Sequence, residues 1–193
     1  MESSHASRWP RWVLALSIVP TCWLGMMAVH ELGHVLAAWM VGAKVERVVL
    51  HPFSFSRTDV AANDSSRFIT WMGPIVGVAL PLLMWITAAA CRTTFAFLFR
   101  FFAGFCLMAN GAYIGFGWSD VGGDASDLRA MGESEILMTV IGTLACLIGL
   151  ALWNRLASQF GYGKNAKVVQ SRVAIGTCAT FIALLAIGWT ISN

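Results

Sequence analysis

The stretch MMAVHELGHVLAAWM, residues 26–40, places three ionisable side chains inside an otherwise apolar segment. They are His30, Glu31 and His34, and Glu31 is the only residue with a formal charge between residues 12 and 41. An ionisable group at membrane depth costs several kcal/mol unless it is paired, so such residues usually mark function. The stretch therefore indicates a site built into a membrane-embedded helix.

The spacing of the two histidines is typical of a metal site. Residues four apart share one face of a helix, so His30 and His34 point the same way, one turn apart. Two such imidazoles can hold one zinc ion, and Glu31 beside them can take a proton from water whose pKa the metal lowers. This is the chemistry of the HExxH motif. The alternative is that His30 and Glu31 pair with each other at a membrane interface.

The composition excludes most soluble classes of protein. Of the 193 residues, 58% are hydrophobic and 12% are charged, against roughly 45–50% and 25% in soluble domains. The formal charge of +3 is small and scattered along the chain, so a nucleic-acid partner is not expected. The composition indicates a membrane protein, with the lipid bilayer as its main surroundings.

Five stretches are long and apolar enough, or nearly so, to cross a hydrocarbon core of about 30 Å. They are residues 12–41, 68–90, 101–118, 136–153 and 173–192. The first would form about 45 Å of helix, so it has to tilt, protrude or break, and Pro20 is the natural place for a bend. The sequence predicts an all-α polytopic membrane protein with about five transmembrane helices in one membrane-embedded domain, residues 1–193.

The segment after the first span, residues 42–67, has a different pattern. Residues 44–50 mix β-branched and charged side chains, and residues 51–56 alternate polar with aromatic ones. This predicts a short interfacial β element of one or two strands, whose exposed edge can pair with an extended peptide. An irregular interfacial loop is the alternative.

Two histidines leave a catalytic zinc ion one protein ligand short of the usual three. The first and third spans end on the same side of the membrane, and the third is followed by WSDVGGDASDLR, residues 118–129. Its glycine pair would let the backbone turn back toward a metal. The order of preference for the third ligand is Asp124, Asp120 and Asp127. The alternative for Asp124 is the N-cap of a short helix through Arg129.

Small residues four apart recur in the later spans. Gly73 and Gly77 form one such pair, and Gly111 and Gly115 form another. Faces of this kind allow close contact between membrane helices, and Gly33 in the first span has the same effect. Packing alone accounts for the two pairs.

The chain resembles the site-2 protease family of intramembrane zinc metallopeptidases. The resemblance rests on the His30-Glu31-Leu32-Gly33-His34 motif, on Gly73-Pro74 in the next span, and on the aspartate cluster after a third span, with Asn110 upstream. It covers roughly residues 12–131, so residues 132–193 look like an addition to a three-helix metalloprotease core.

The resemblance implies a role for each motif residue. His30 and His34 would bind Zn²⁺ together with an aspartate near Asp124, and Glu31 would be the catalytic acid–base residue. The family often has Asp-Gly at the third-ligand position, whereas Ala125 follows here; the run Gly-Gly-Asp-Ala is more similar to the Ser-Asp-Ala motif of a smaller bacterial branch. Asn110 would either hydrogen-bond the substrate backbone or pair two helices.

These observations predict an integral multi-pass protein of a bacterial cell membrane. Its expected activity is that of a zinc metalloendopeptidase that cleaves in or near the transmembrane segments of other membrane proteins. The rival hypothesis is a catalytically inactive protein of the same fold that binds metal or sequesters partner helices. That rival would keep the histidine pair but would not need Glu31.

Overall fold

Helices dominate the protein, of which the computed structural model describes residues 8–119 and 122–192. The helices are α1 (Trp9–Met40), α2 (Ser66–Ala90), α3 (Ala96–Phe116), α4 (Asp124–Ala130), α5 (Glu135–Trp153) and α6 (Ser171–Ser192). Two 3-10 turns, Gly117–Ser119 and Ala157–Phe160, and two strands, β1 (Val45–Val49) and β2 (Arg57–Val60), complete the described elements. Within the described ranges, α1, α2, α3, α5 and α6 are long and apolar enough to cross a membrane, so five such helices were correctly predicted.

Helix α1 is longer than a membrane core requires. Its 32 residues correspond to about 48 Å of helix. The helix continues through Pro20, so the chain does not break there. One continuous helix therefore carries the HExxH stretch.

The long helices pack in the spatial order α6, α1, α2, α3, α5. Leu14, Ile18 and Cys22 of α1 form one apolar cluster with aromatic residues from the start of α3 and with Val173 and Ala174 from the start of α6. Further along, His30 of α1 contacts Asn110 of α3. Helices α1 and α3 therefore run in the same direction and end on the same side, as predicted.

Glycines bring two helix pairs into backbone contact. A Cβ atom on Gly33 of α1 would overlap the main-chain carbonyl of Met72 in α2. A Cβ atom on Gly142 of α5 would overlap the carbonyl oxygen of Gly111 and lie 2.5 Å from the Cα of Gly115, both in α3. The prediction that Gly33, Gly111 and Gly115 permit close helix packing is confirmed.

The segment after α1 forms an antiparallel hairpin, with Val48 opposite Thr58 and Val49 opposite Arg57. The predicted β element is therefore present, but residues 51–56 form its turn rather than a strand. Pro52 contributes to this difference because it has no N–H group to donate to a ladder. The hairpin is attached to the end of α6, where the Leu50 amide donates to Ser192 Oγ (3.0 Å) and the Arg47 guanidinium donates to the Ser192 carbonyl (3.3 Å).

The contact between α3 and α5 predicts that alanine destabilises the protein at Gly142 but not at an open glycine of α6. Gly142→Ala forces apart two backbones that cannot yield locally, so we expect it to lower the free energy of unfolding by about 1–3 kcal/mol. Gly176→Ala in α6 is the matched control, because its added Cβ would meet no atom within 4 Å. Thermal unfolding in detergent micelles measures both variants. Equal stability of the two would contradict this account of the packing.

Candidate metal centre

Three side chains from distant parts of the chain converge beside α1. His30 and His34 project from consecutive turns of α1, and Asp124 is the first residue of α4. Asp124 Oδ2 lies 2.7 Å from Nε2 of His30 and 3.2 Å from Nε2 of His34, and the two Nε2 atoms are 3.2 Å apart. Both histidines are buried. Within the described ranges, this is the group of His, Cys, Asp and Glu side chains with the geometry to hold a metal ion.

The hydrogen bonds on the far side of each ring determine which nitrogen carries the proton. His34 Nδ1 donates to the Ile69 carbonyl (2.9 Å), which can only accept. Asn110 Nδ2 donates to the Cys106 carbonyl, so its Oδ1 faces His30 and accepts from Nδ1 (2.7 Å). In the neutral rings, both Nε2 atoms therefore present lone pairs to the Asp124 carboxylate.

This donor set suits a small divalent cation. Ligand atoms about 2.0–2.2 Å from a tetrahedral zinc ion are roughly 3.3 Å apart, close to two of the three separations found here. Two imidazole nitrogens and one carboxylate oxygen are also a ligand combination that catalytic zinc sites use. Facing lone pairs require a cation or a proton between them. His30, His34 and Asp124 could thus hold Zn²⁺.

The loop before α4 is shaped to present Asp124. Gly122 and Gly123 have φ values of 86° and 107°, which a residue with a side chain rarely adopts. The Asp124 amide donates to the hydroxyl of Tyr113 (2.9 Å), and a Cβ on Gly123 would overlap that hydroxyl. The predicted backbone turn at the glycine pair is present.

The electrostatics favour an ionised Asp124. Burial by itself would raise the pKa of this carboxyl, but when a proton is held between the carboxylate and the Nε2 atoms, hydrogen bonds and charge interactions with His30 and His34 outweigh burial and hold the pKa well below its ordinary value. Asp127 behaves in the opposite way, because partial burial and then the charge of Asp124 raise its pKa.

The other candidate ligands do not join the cluster. Asp127 lies three residues further along α4 with an exposed side chain, outside the group of converging ligand atoms. Asp120 lies outside the described residues. The N-cap alternative for Asp124 is wrong, because Gly123 occupies the N-cap position and Asp124 begins the helix. Of the three aspartates considered, the structure brings Asp124 to the histidine rings.

Asn110 links α3 to α1 through His30. It is 3% exposed, and its oxygen and its amide group make the hydrogen bonds to His30 and Cys106 described above. Of its two predicted roles, the structure therefore shows helix pairing. Its contact on α1 is the His30 ring, which belongs to the cluster. Outer-shell acceptors of this kind fix the orientation of metal-binding histidines.

Gly73 of α2 leaves the space around the ring nitrogens open. A Cβ at this position would overlap Cε1 and Nε2 of His34 and lie 3.0 Å from Nε2 of His30. One turn further along, a Cβ on Gly77 would lie 2.9 Å from Asn110 Oδ1. The prediction that packing alone explains this glycine pair was too narrow, since both residues make room for atoms of the site.

Glu31 is buried next to the cluster but does not belong to it. Its side chain is 3% exposed, and it follows His30 directly in α1. Its Oε2 accepts a hydrogen bond of 2.7 Å from Thr58 Oγ1 in β2. The alternative of a His30–Glu31 pair is not what the structure shows, because His30 contacts Asn110 and Asp124 instead.

Comparisons with profiles of protein families, with curated proteins and with solved structures found no match. The case for a function therefore depends on the sequence motif and on the geometry of this site.

The geometry predicts which aspartate controls metal binding. We expect the purified protein to bind one Zn²⁺ per chain, and Asp124→Ala to weaken binding by more than the roughly 10- to 100-fold that outer-shell changes cause. Asp127→Ala should leave zinc binding unchanged because that carboxylate stands outside the cluster. Elemental analysis after dialysis and competition with a chelating dye measure stoichiometry and affinity. Loss of zinc in Asp127→Ala but not in Asp124→Ala would contradict the ligand assignment.

Gly73→Ala tests the space between α2 and the rings. The added methyl group meets ring atoms rather than backbone, so we expect the rings to be displaced while the helices stay packed. Zinc affinity should fall about 10-fold or more, as for other changes to the surroundings of metal ligands, with little loss of thermal stability. Gly176→Ala serves as the matched control. Full zinc affinity in Gly73→Ala would show that the rings do not need this space.

Proposed function

We propose that the protein is an intramembrane zinc metalloendopeptidase of the site-2 protease type. The observation that carries the proposal is the meeting of His30, His34 and Asp124 beside the buried Glu31, all among helices apolar enough to span a membrane. We further propose that all five long helices cross a bacterial cell membrane, with α1, α2 and α3 as the catalytic core. The HExxH motif and the likeness of Gly-Gly-Asp-Ala to a bacterial branch support this reading.

The proposed division of labour follows from the chemistry of the side chains. His30, His34 and Asp124 hold Zn²⁺, which when bound supplies positive charge that polarises a carbonyl and lowers the pKa of a water molecule. Glu31 accepts a proton from the attacking water at its carboxylate. It later donates that proton to the leaving amine. The water oxygen ends on the carbonyl carbon as the peptide C–N bond breaks, so atoms and protons balance.

The hairpin offers a way to present a substrate. A membrane-spanning helix hides its carbonyls in internal hydrogen bonds, so a substrate has to unwind locally before hydrolysis. A two-stranded sheet leaves an unpaired edge on each strand, and such an edge can hold a peptide extended by strand addition. Thr58 brings β2 into contact with Glu31, so a peptide held along the hairpin would lie close to the proposed catalytic base. The proposed substrate class is a transmembrane protein that unwinds near the hairpin.

Glu31→Gln separates the protease from its rival. The change keeps the shape of the side chain but removes its basic carboxylate, so we expect zinc content to stay at one per chain and turnover to fall by about 10²- to 10⁴-fold. Turnover is measured by mass spectrometry of a panel of single-span membrane proteins reconstituted with the enzyme in liposomes. Glu135→Gln is the matched control, because Glu135 pairs with Arg129 at a partly exposed position.

Two outcomes would count against the protease. Unchanged cleavage in Glu31→Gln would remove the acid–base role. Unchanged biological activity of the same variant in cells would favour the rival, a protein that binds metal or sequesters helices without hydrolysis.

A further inference from the structure

A threonine of the hairpin holds the carboxylate of Glu31. Thr58 lies 27 residues beyond Glu31 in the chain, in a different element, yet its hydroxyl donates a 2.7 Å hydrogen bond to Glu31 Oε2. Hydrogen bonds to an ionised group are roughly twice as strong as those between neutral groups. In surroundings where Glu31 is 3% exposed, this bond has little competition from water.

The alternation of β2 explains why Thr58 points toward α1. Successive side chains of a strand face opposite sides, so Thr58 and Val60 share one face. Val60 packs against Ala37, Ala38 and Ile69 of the helices. Arg57 and Asp59 take the other face, where they form a largely exposed ion pair. A shift of one residue in register would replace Thr58 at the helix surface by a charged side chain.

The contact between Thr58 and Glu31 lies more than two helical turns before the end of α1. Glu31 is nine residues before the last residue of α1, Met40, which corresponds to about 13 Å along the helix. Strand β2 therefore folds back along α1 to the depth of the proposed site.

The other oxygen of Glu31 is left for chemistry. Among residues 8–119 and 122–192, no group forms a hydrogen bond with Oε1. Because a carboxylate rotates as a unit about its last bond, fixing Oε2 also fixes the direction of Oε1. We propose that Thr58 is a positioning residue that turns the Glu31 carboxylate so that Oε1 receives the proton of the attacking water. This inference rests on the proposed protease function.

The role couples the hairpin to the catalytic base. The strand that carries Thr58 has one of the two free edges of the hairpin to which an extended peptide can add. A peptide that binds along β2 stabilises the position of that strand, and through Thr58 it stabilises the orientation of Glu31. The proposed base would therefore be best oriented when an unwound substrate is in place.

A pair of substitutions at Thr58 tests the positioning role. Thr58→Val keeps the shape but removes the hydroxyl, so kcat should fall by about 10- to 100-fold, the range expected for one hydrogen bond to a charged group. Zinc content should stay unchanged because the metal ligands are untouched, and KM should change much less than kcat because the backbone that pairs with the substrate is untouched. Thr58→Ser keeps the hydroxyl and should restore most of kcat. Thr180→Val, which makes the same change at an exposed position of α6, is the matched control.

An infrared measurement keeps this inference distinct from the proposed function. The carboxylate stretching band of Glu31 is isolated as the difference between wild type and Glu31→Gln, and it should shift in Thr58→Val but return in Thr58→Ser. A band that does not move, or a Thr58→Val variant with wild-type kcat, overturns the inference. If the wild type cleaves no substrate of the panel, the protease proposal fails, while a shifted band still supports the hold of Thr58 on Glu31.

Discussion

The arrangement of the bundle depends on three electron-donating atoms that meet in an apolar environment. Without a cation or a shared proton, Nε2 of His30, Nε2 of His34 and an oxygen of Asp124 would face one another at hydrogen-bond distance with little access to water. Such an arrangement costs several kcal/mol. Nδ1 of His30 donates to Asn110 of α3, and Nδ1 of His34 donates to the Ile69 carbonyl of α2. The positions of α2 and α3 against α1 are therefore tied to the orientation of the two rings.

The glycines make this close arrangement of the helices possible. Gly33 lets the backbone of α2 lie against α1, and Gly73 and Gly77 then fit beside the ring nitrogens and the Asn110 amide. Helix α3 in turn is held by α5 through Gly111, Gly115 and Gly142. Close packing and the shape of the site are thus two results of the same small residues. Helix α5 packs against α3 and supports it from outside the group formed by α1, α2 and α3.

The sequence was sufficient to predict the five long helices and the convergence of Asp124 with the two histidines, because each depends on a local pattern or on the side at which a span ends. Asp124 could be preferred over its neighbours, but only the folded chain shows that Gly122 and Gly123 turn it toward the rings. Thr58, Tyr113 and the Ile69 carbonyl were not predicted. Their roles depend on contacts between distant elements, and neither a lone threonine in a strand nor a main-chain oxygen carries a motif. The prediction of a strand over residues 51–56 is wrong, because polar and aromatic residues alternate there as they do in a strand although the segment forms a turn.

The attachment of the hairpin to Ser192 has a practical consequence for engineering the protein. Ser192, the last described residue of helix α6, binds Leu50 and Arg47, so a polypeptide fused to this end would be attached next to those two hydrogen bonds. A bulky affinity handle at this end would pull on the strands that reach Glu31. A handle on the N-terminal side of α1 is separated from them by most of the length of that helix, which makes it the better choice for purification and labelling.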